Sequence, residues 1–135
     1  MALVKNIFLI LFIFSVSGHL LAQSQTEMNQ DTCKEYQKVD ATLNRTYKKI
    51  LSKYKSDKEF ISNFKKAQQA WIKFKEAEIE AIYPAKDKQT EYGSVYDTCR
   101  CSSLLTITLQ RIEELKIWLV GTEEGDVCAG SVQLK

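Results

Sequence analysis

The run KKAQQAWIKFKEAE, Lys65 to Glu78, decides how this chain folds, because it reads in two incompatible ways. As a binding surface, Lys65, Lys66, Lys73 and Lys75 would meet phosphates while Trp71 and Phe74 stack on bases or insert into lipid. As a helix packed on a core, the same residues sort by phase. Phe64, Ala67, Trp71 and Phe74 fall on one face and most of the lysines on others, so aromatics and cations separate instead of mixing. Phase favours the core helix, with Trp71 and Phe74 inward and a solvated lysine face outward, and it removes the argument for a nucleic-acid partner.

Working outward, the helix containing this run carries Phe60, Phe64, Ala67, Trp71, Phe74 and Ile82 at helical spacing. It starts near Ser56, where Ser56 and Glu59 have the form of a capping box. Tyr83-Pro84 ends it, since proline restricts the preceding residue and cannot continue the hydrogen-bond ladder. Upstream, a first helix starts at Thr32 with a second capping box, Thr32 and Glu35, and an apolar stripe of Cys33, Tyr36, Leu43, Tyr47, Ile50, Leu51 and Tyr54. Asp40 lies inside that stripe. A buried carboxylate needs a partner, and Lys75 or Arg111 is placed to supply it. Downstream, Ala85 to Gly93 is a polar connection. A third helix then runs from about Ser94 to Val120 with the stripe Cys101, Leu104, Leu105, Thr108, Ile112, Leu115 and Leu119. Gly121 terminates it. Short links between helices favour antiparallel neighbours, so the expected fold is all-α: a three-helix antiparallel bundle stapled by disulfides, with an irregular C-terminal tail at 121–135.

The N-terminus reads as a secretory signal. Lys5 forms a positive n-region, Ile7 to Val16 an apolar h-region, and Ala22 precedes polar Gln23-Ser24-Gln25. The apolar run is short of the roughly 20 residues that span a bilayer, and no cysteine follows the cut for lipid attachment. The expected organisation is therefore a signal peptide at 1–22 and one helical domain at 23–135 with its core at 33–119. The membrane is involved only before cleavage, and the location is exported, periplasmic or secreted. All four cysteines, Cys33, Cys99, Cys101 and Cys128, lie in the exported part, where an even count reads as two disulfides. A Cys99–Cys101 bond is discounted for strain. That leaves Cys33 with one of the pair and Cys128 with the other. The tail stays loose unless Cys128 fastens it.

The one histidine, His19, falls within the signal segment. Without it, histidine-dependent nucleophile systems and histidine metal sites drop out. The Cys99-Arg100-Cys101 spacing suits soft metals or thiol exchange, but no Cys-x-x-Cys motif accompanies it, and structural disulfides are the better reading. The carboxylate pairs Glu76 with Glu80, Glu113-Glu114 and Glu123-Glu124 sit on charged helical faces or in a loop and do not flank a cleft as a glycosidase requires. No catalytic residue, cofactor or metal is expected. Charge is segregated: Lys34 to Lys75 holds 12 basic and 4 acidic residues, whereas Glu76 to Lys135 holds 6 basic and 11 acidic. Such a dipole steers charged partners.

Four pieces in order resemble a family of small exported bacterial domains, the lysozyme inhibitor LprI-like N-terminal domain. They are Cys33 followed by Asp40, Leu43, Asn44 and Tyr47; Ala67-Gln68 with Trp71, Lys75 and Glu76; Gly93-Ser94 with a cysteine; and Thr108, Arg111 and Leu115. Together they span most of residues 33 to 119. Two departures stand out. Lys75-Glu76 occupies a place where the family usually has Arg-Asp, and Ile79 replaces a frequent cysteine, which suggests that Cys128 takes over that cysteine's pairing. The resemblance implies an exported protein that binds and blocks a lysozyme or another peptidoglycan hydrolase. Lysozymes are commonly basic, so Glu113, Glu114, Glu123, Glu124 and Asp126 would face such a partner. The alternative is a non-inhibitory envelope module whose basic hairpin, Lys48, Lys49, Lys53, Lys55, Lys58, Lys65 and Lys66, contacts anionic lipid or wall polymer.

Overall fold

The computed structural model describes the backbone of residues 2–135 and the side chains of residues 26–135, so the side chains of the signal peptide expected at 1–22 lie outside the described residues. Four helices follow in order: α1 (Ala2–Lys53), α2 (Lys58–Ile82), α3 (Lys88–Tyr92) and α4 (Tyr96–Val120), with a single 3-10 turn, Gly93–Val95, leading into α4. The long helices α1, α2 and α4 form an up-down-up bundle. The Cys33–Cys101 bond joins α1 to α4 near one end, and Lys53 reaches Trp118 and Leu119 at the other. So α1 and α4 run parallel, with α2 antiparallel to both. No strand forms among the described residues.

Local chemistry accounts for the helix ends, and it corrects two expected starts. Thr32 caps nothing. The helix is already formed upstream of it, and its hydroxyl donates to the Met28 carbonyl at 3.0 Å. The cap of α2 is Asp57 and not Ser56: its Oδ1 accepts from the Phe60 N–H at 2.8 Å, where a carboxylate also meets the positive end of the helix dipole. The polar connection contains the short α3, capped by Asp87. That carboxyl is held below its ordinary range by hydrogen bonds from the Thr90 N–H and then the Thr90 hydroxyl. At the far end of the bundle, Gly121 closes α4 with φ +89°. A Cβ there would lie 2.7 Å from the Gln133 carbonyl oxygen, so only glycine fits.

The core is Leu43, Ile50 and Tyr54 from α1, Phe60 and Phe64 from α2, and Ile112 and Leu115 from α4. Around it the aromatics pack in a chain. Tyr47 stacks on Phe64 (5.4 Å between centroids), Phe64 on Phe60 (5.2 Å), and Trp118 closes on Phe60 (4.8 Å). These rings hold α2 away from its neighbours, whereas α1 and α4 approach closely along their lengths, with Thr108 fully buried on α4. Lys53 donates to the Trp118 and Leu119 carbonyls, both at 3.1 Å. It thereby caps the C-terminus of α4 with a cation.

One disulfide forms where two were expected. Cys33 pairs with Cys101, while Cys99 and Cys128 are exposed free thiols. The reason is distance along α4. Cys99 is near its start, whereas the tail bearing Cys128 folds beyond its end, roughly 30 Å away at 1.5 Å per residue. Nor does Cys128 take over the pairing of a cysteine missing from α2, since its thiol is free and exposed and Cys33 is bonded to Cys101. The tail is fastened without it. The Gln133 N–H donates to the Tyr54 hydroxyl and the Thr122 N–H to the Gln133 carbonyl, both at 3.0 Å, and Lys135 pairs with Glu123.

Candidate functional site

Seven of the residues singled out by the family resemblance, Asp40, Asn44, Gln68, Trp71, Lys75, Glu76 and Arg111, converge midway along the bundle. The rotation of α2 decides how. Its buried line is Phe60, Phe64, Gln68, Lys75 and Ile79, with half-buried Trp71 between, turned about one residue from the apolar stripe expected from phase. Phe74 and Ile82 are therefore 55% and 45% exposed, Ala67 is exposed, and the core place next to Phe74 belongs to Lys75. Two adjacent residues have exchanged their usual roles, with the phenyl ring in water and the ammonium inside.

Lys75 is 7% exposed, against 36% for Asp40. The expected pair forms, but its buried member is the lysine and not the carboxylate. The ammonium lies 3.8 Å from Asp40 Oδ1 and 3.9 Å from Glu76, donates to the Tyr36 hydroxyl at 3.1 Å, and sits over the Trp71 and Tyr36 rings at 5.3 and 5.6 Å. The other Asp40 oxygen accepts from Asn44 at 3.0 Å. Arg111 does not pair with Asp40. Its guanidinium lies over the Trp71 ring at 5.8 Å, its Nε donates to Gln68 Oε1 at 3.3 Å, and it pairs with Glu114 at 3.0 Å. The indole of Trp71 is thus flanked by a cation from its own helix and one from α4. Leu43 and Leu115 are core residues. Burial pushes the Tyr47 phenol above its ordinary value of 10.0.

This arrangement is a three-helix clamp that uses charge-assisted and cation–π contacts where an apolar layer would otherwise sit. Tyr36 completes it, and it was legible in the sequence only as one more apolar-stripe residue. At the Cys101 end, Gly93 carries φ +69°, the Ser94 carbonyl accepts from Asn29 at 3.0 Å, and Thr98 donates to the same Asn29 side chain. Among the described residues no group of three His, Cys, Asp or Glu is placed to hold a metal ion.

The expected acidic face is dispersed and largely self-compensated. Glu113 pairs with Lys116 at 2.6 Å, Glu114 with Arg111 and Glu123 with Lys135, while Asp126 accepts from Thr122 and the Cys128 N–H. Glu124 is exposed on the tail. The basic hairpin is less compensated. Lys53 caps α4, but Lys48, Lys49, Lys55, Lys58, Lys65 and Lys66 are exposed, with no ion pair among the described residues. A further feature carried no sequence signal: two hollows between α2 and α4, of 270 and 190 Å³, share Glu78 and Ile107 in their walls.

A parallel-antiparallel three-helix bundle, stapled once by a disulfide and tied inside by a buried lysine, defines a small all-α domain with an interior polar clamp. The chain belongs to the lysozyme inhibitor LprI family, whose model matches residues 20–115. That span takes in the disulfide and every residue of the clamp. No curated protein and no solved structure matches the chain. Among the described residues, no helix is long and apolar enough to cross a membrane.

Proposed function

We propose that this protein is exported through its N-terminal signal, residues 1–22, and acts without catalysis, as a domain spanning 23–135 that binds a lysozyme-type peptidoglycan hydrolase and blocks it. The observation that carries this reading is the family match over residues 20–115. The convergence of the motif residues on one clamp supports it indirectly. The clamp fixes the three helices in register, so surfaces formed between them are rigid, and rigid surfaces lose little entropy on binding. The deciding experiment measures clearance of cell-wall substrate by several lysozyme types with and without excess of the exported chain. Dose-dependent inhibition of at least one type is expected, and unchanged clearance by all of them overturns the reading.

The uncompensated lysines on α1 and α2 favour a second reading, contact with anionic lipid or wall polymer. Co-sedimentation with anionic vesicles or peptidoglycan that falls steeply with salt supports it. Its absence at low salt removes it.

A further inference from the structure

The groove between α2 and α4 combines three features that the fold itself does not require. First, it exposes large apolar side chains that had an interior alternative. Phe74 is 55% exposed because Lys75 holds the buried place beside it, and Ile82, two turns further along the same face, is 45% exposed. Second, Glu78 stands between them at four residues from each, where helical spacing stacks the three side chains. It makes no hydrogen bond or ion pair with any described residue, unlike Glu76, Glu80, Glu113 and Glu114. Third, the walls contain no cation. Across the groove, α4 supplies Ile107, Gln110 and Glu114, and the one nearby guanidinium, Arg111, is already engaged with Glu114.

We propose that this groove is the docking surface for the hydrolase, and that it receives an arginine side chain of that basic partner. The proposal rests on the function proposed above and adds where and how the partner is held. The chemistry selects the occupant. The hollows, at 270 and 190 Å³, are smaller than the roughly 300–1,000 Å³ of pockets that take small molecules, and so suit single side chains of a larger surface. An arginine lays its aliphatic stem on Ile82 and Ile107, its guanidinium plane on the exposed Phe74 ring, and its fork on the free Glu78 carboxylate. Lysine would satisfy the charge but not the fork and the stacking. The lysine-rich faces of α1 and α2 carry charge of the opposite sign, so a basic partner approaching this molecule is steered away from them and toward the groove.

The test uses the exported chain with its disulfide intact, a panel of basic lysozymes, and calorimetric binding alongside inhibition. Phe74→Ala and Glu78→Lys are each expected to weaken binding tenfold or more, and Glu78→Gln several-fold, as substitutions at central anchors do. The control Lys65→Gln, nine residues before Phe74 and therefore half a turn around α2 from it, should leave affinity within twofold. Both groove residues are exposed, so unchanged melting temperatures show that the fold is intact. A lysozyme bound by the parent chain and bound within twofold by Phe74→Ala and Glu78→Lys overturns the groove while leaving the proposed function standing. A parent chain that binds none of the panel overturns both. Concentration-dependent dimerisation of the parent, abolished by Phe74→Ala, assigns the groove to a second copy and also overturns the proposal.

Discussion

Replacing Asp40 with Asn should destabilise the protein more than replacing Lys75 with Met, although both break the same ion pair. At 3.8 Å and an effective dielectric constant near 20, the gross attraction is about 4 kcal/mol. Much of that is offset by removing the ammonium from water, and more is lost to screening because the carboxylate is 36% exposed. What remains depends on which partner is left behind. In Asp40→Asn the ammonium stays 7% exposed without its main counter-charge. Tyr36, the two rings and the more distant Glu76 compensate in part, for an expected loss of about 1–2 kcal/mol. In Lys75→Met the buried stem is kept in shape, the desolvation cost disappears, and Asp40 turns to water and Asn44. The lost hydrogen bond and cation–π contacts then leave a net cost below about 1 kcal/mol. Urea denaturation of the two single variants and the double variant, with the disulfide intact, measures both costs and their coupling. For a domain of this size each 1 kcal/mol moves the melting temperature by about 4 °C. A Lys75→Met variant less stable than Asp40→Asn by 1 kcal/mol or more would refute the reasoning, because it would mean that the cation is worth more than the cost of burying it.

Three further outcomes follow from particular contacts. Thr108 is fully buried and its hydroxyl has no hydrogen-bond partner, so Thr108→Val should stabilise by about 1 kcal/mol; thermal melts that show destabilisation would contradict the burial argument. Native-state alkylation should label two thiols per chain, Cys99 and Cys128, and a Cys33→Ser/Cys101→Ser variant should lose about 4 kcal/mol in unfolding measurements, the chain-entropy value for a crosslink 68 residues apart. Because the Tyr47 phenol is raised in the folded state, its contribution is fully present below pH 10 and is lost as pH climbs through the higher folded-state value. The parent should therefore lose stability relative to Tyr47→Phe above pH 10, and a parent that gains stability relative to the variant there would exclude the assignment.

The helices themselves were legible from the chain. The stripes of α1 and α4 are the ones found, Tyr83-Pro84 and Gly121 stop the helices where expected, and the Asp40–Lys75 pair forms. The misreadings share one cause. Pattern reading assigns apolar residues to the core, and along α2 the buried line includes Gln68 and Lys75 at spacings of four, four, three, four and four from Phe60 to Ile79. That line is an equally good helical phase, set aside because two of its members are polar. It becomes the correct one only when Tyr36, Asp40 and Arg111 arrive from other helices to satisfy them. The capping residues erred for a similar reason: Thr32 and Ser56 have the right neighbours in sequence, but a cap exists only where the helix actually begins.

By itself, then, the sequence determined the three long helices, the need of Asp40 for a cationic partner, with Lys75 and Arg111 both in reach, and the resemblance to the family, because these depend on local spacing and residue type. Tertiary structure decided the rest. It chose Cys101 over Cys99 for Cys33, left Cys128 free at the opposite end of α4, and turned α2 so that Lys75 went inside and Phe74 out. Each of these choices depends on distances between helices, and a rotation of one residue about a helix axis changes which face meets a neighbour without changing the helix at all. The run from Lys65 to Glu78 therefore specifies a helix unambiguously, while the side of it that faces water, and with it the groove lined by Phe74 and Glu78, is set by the helices it packs against.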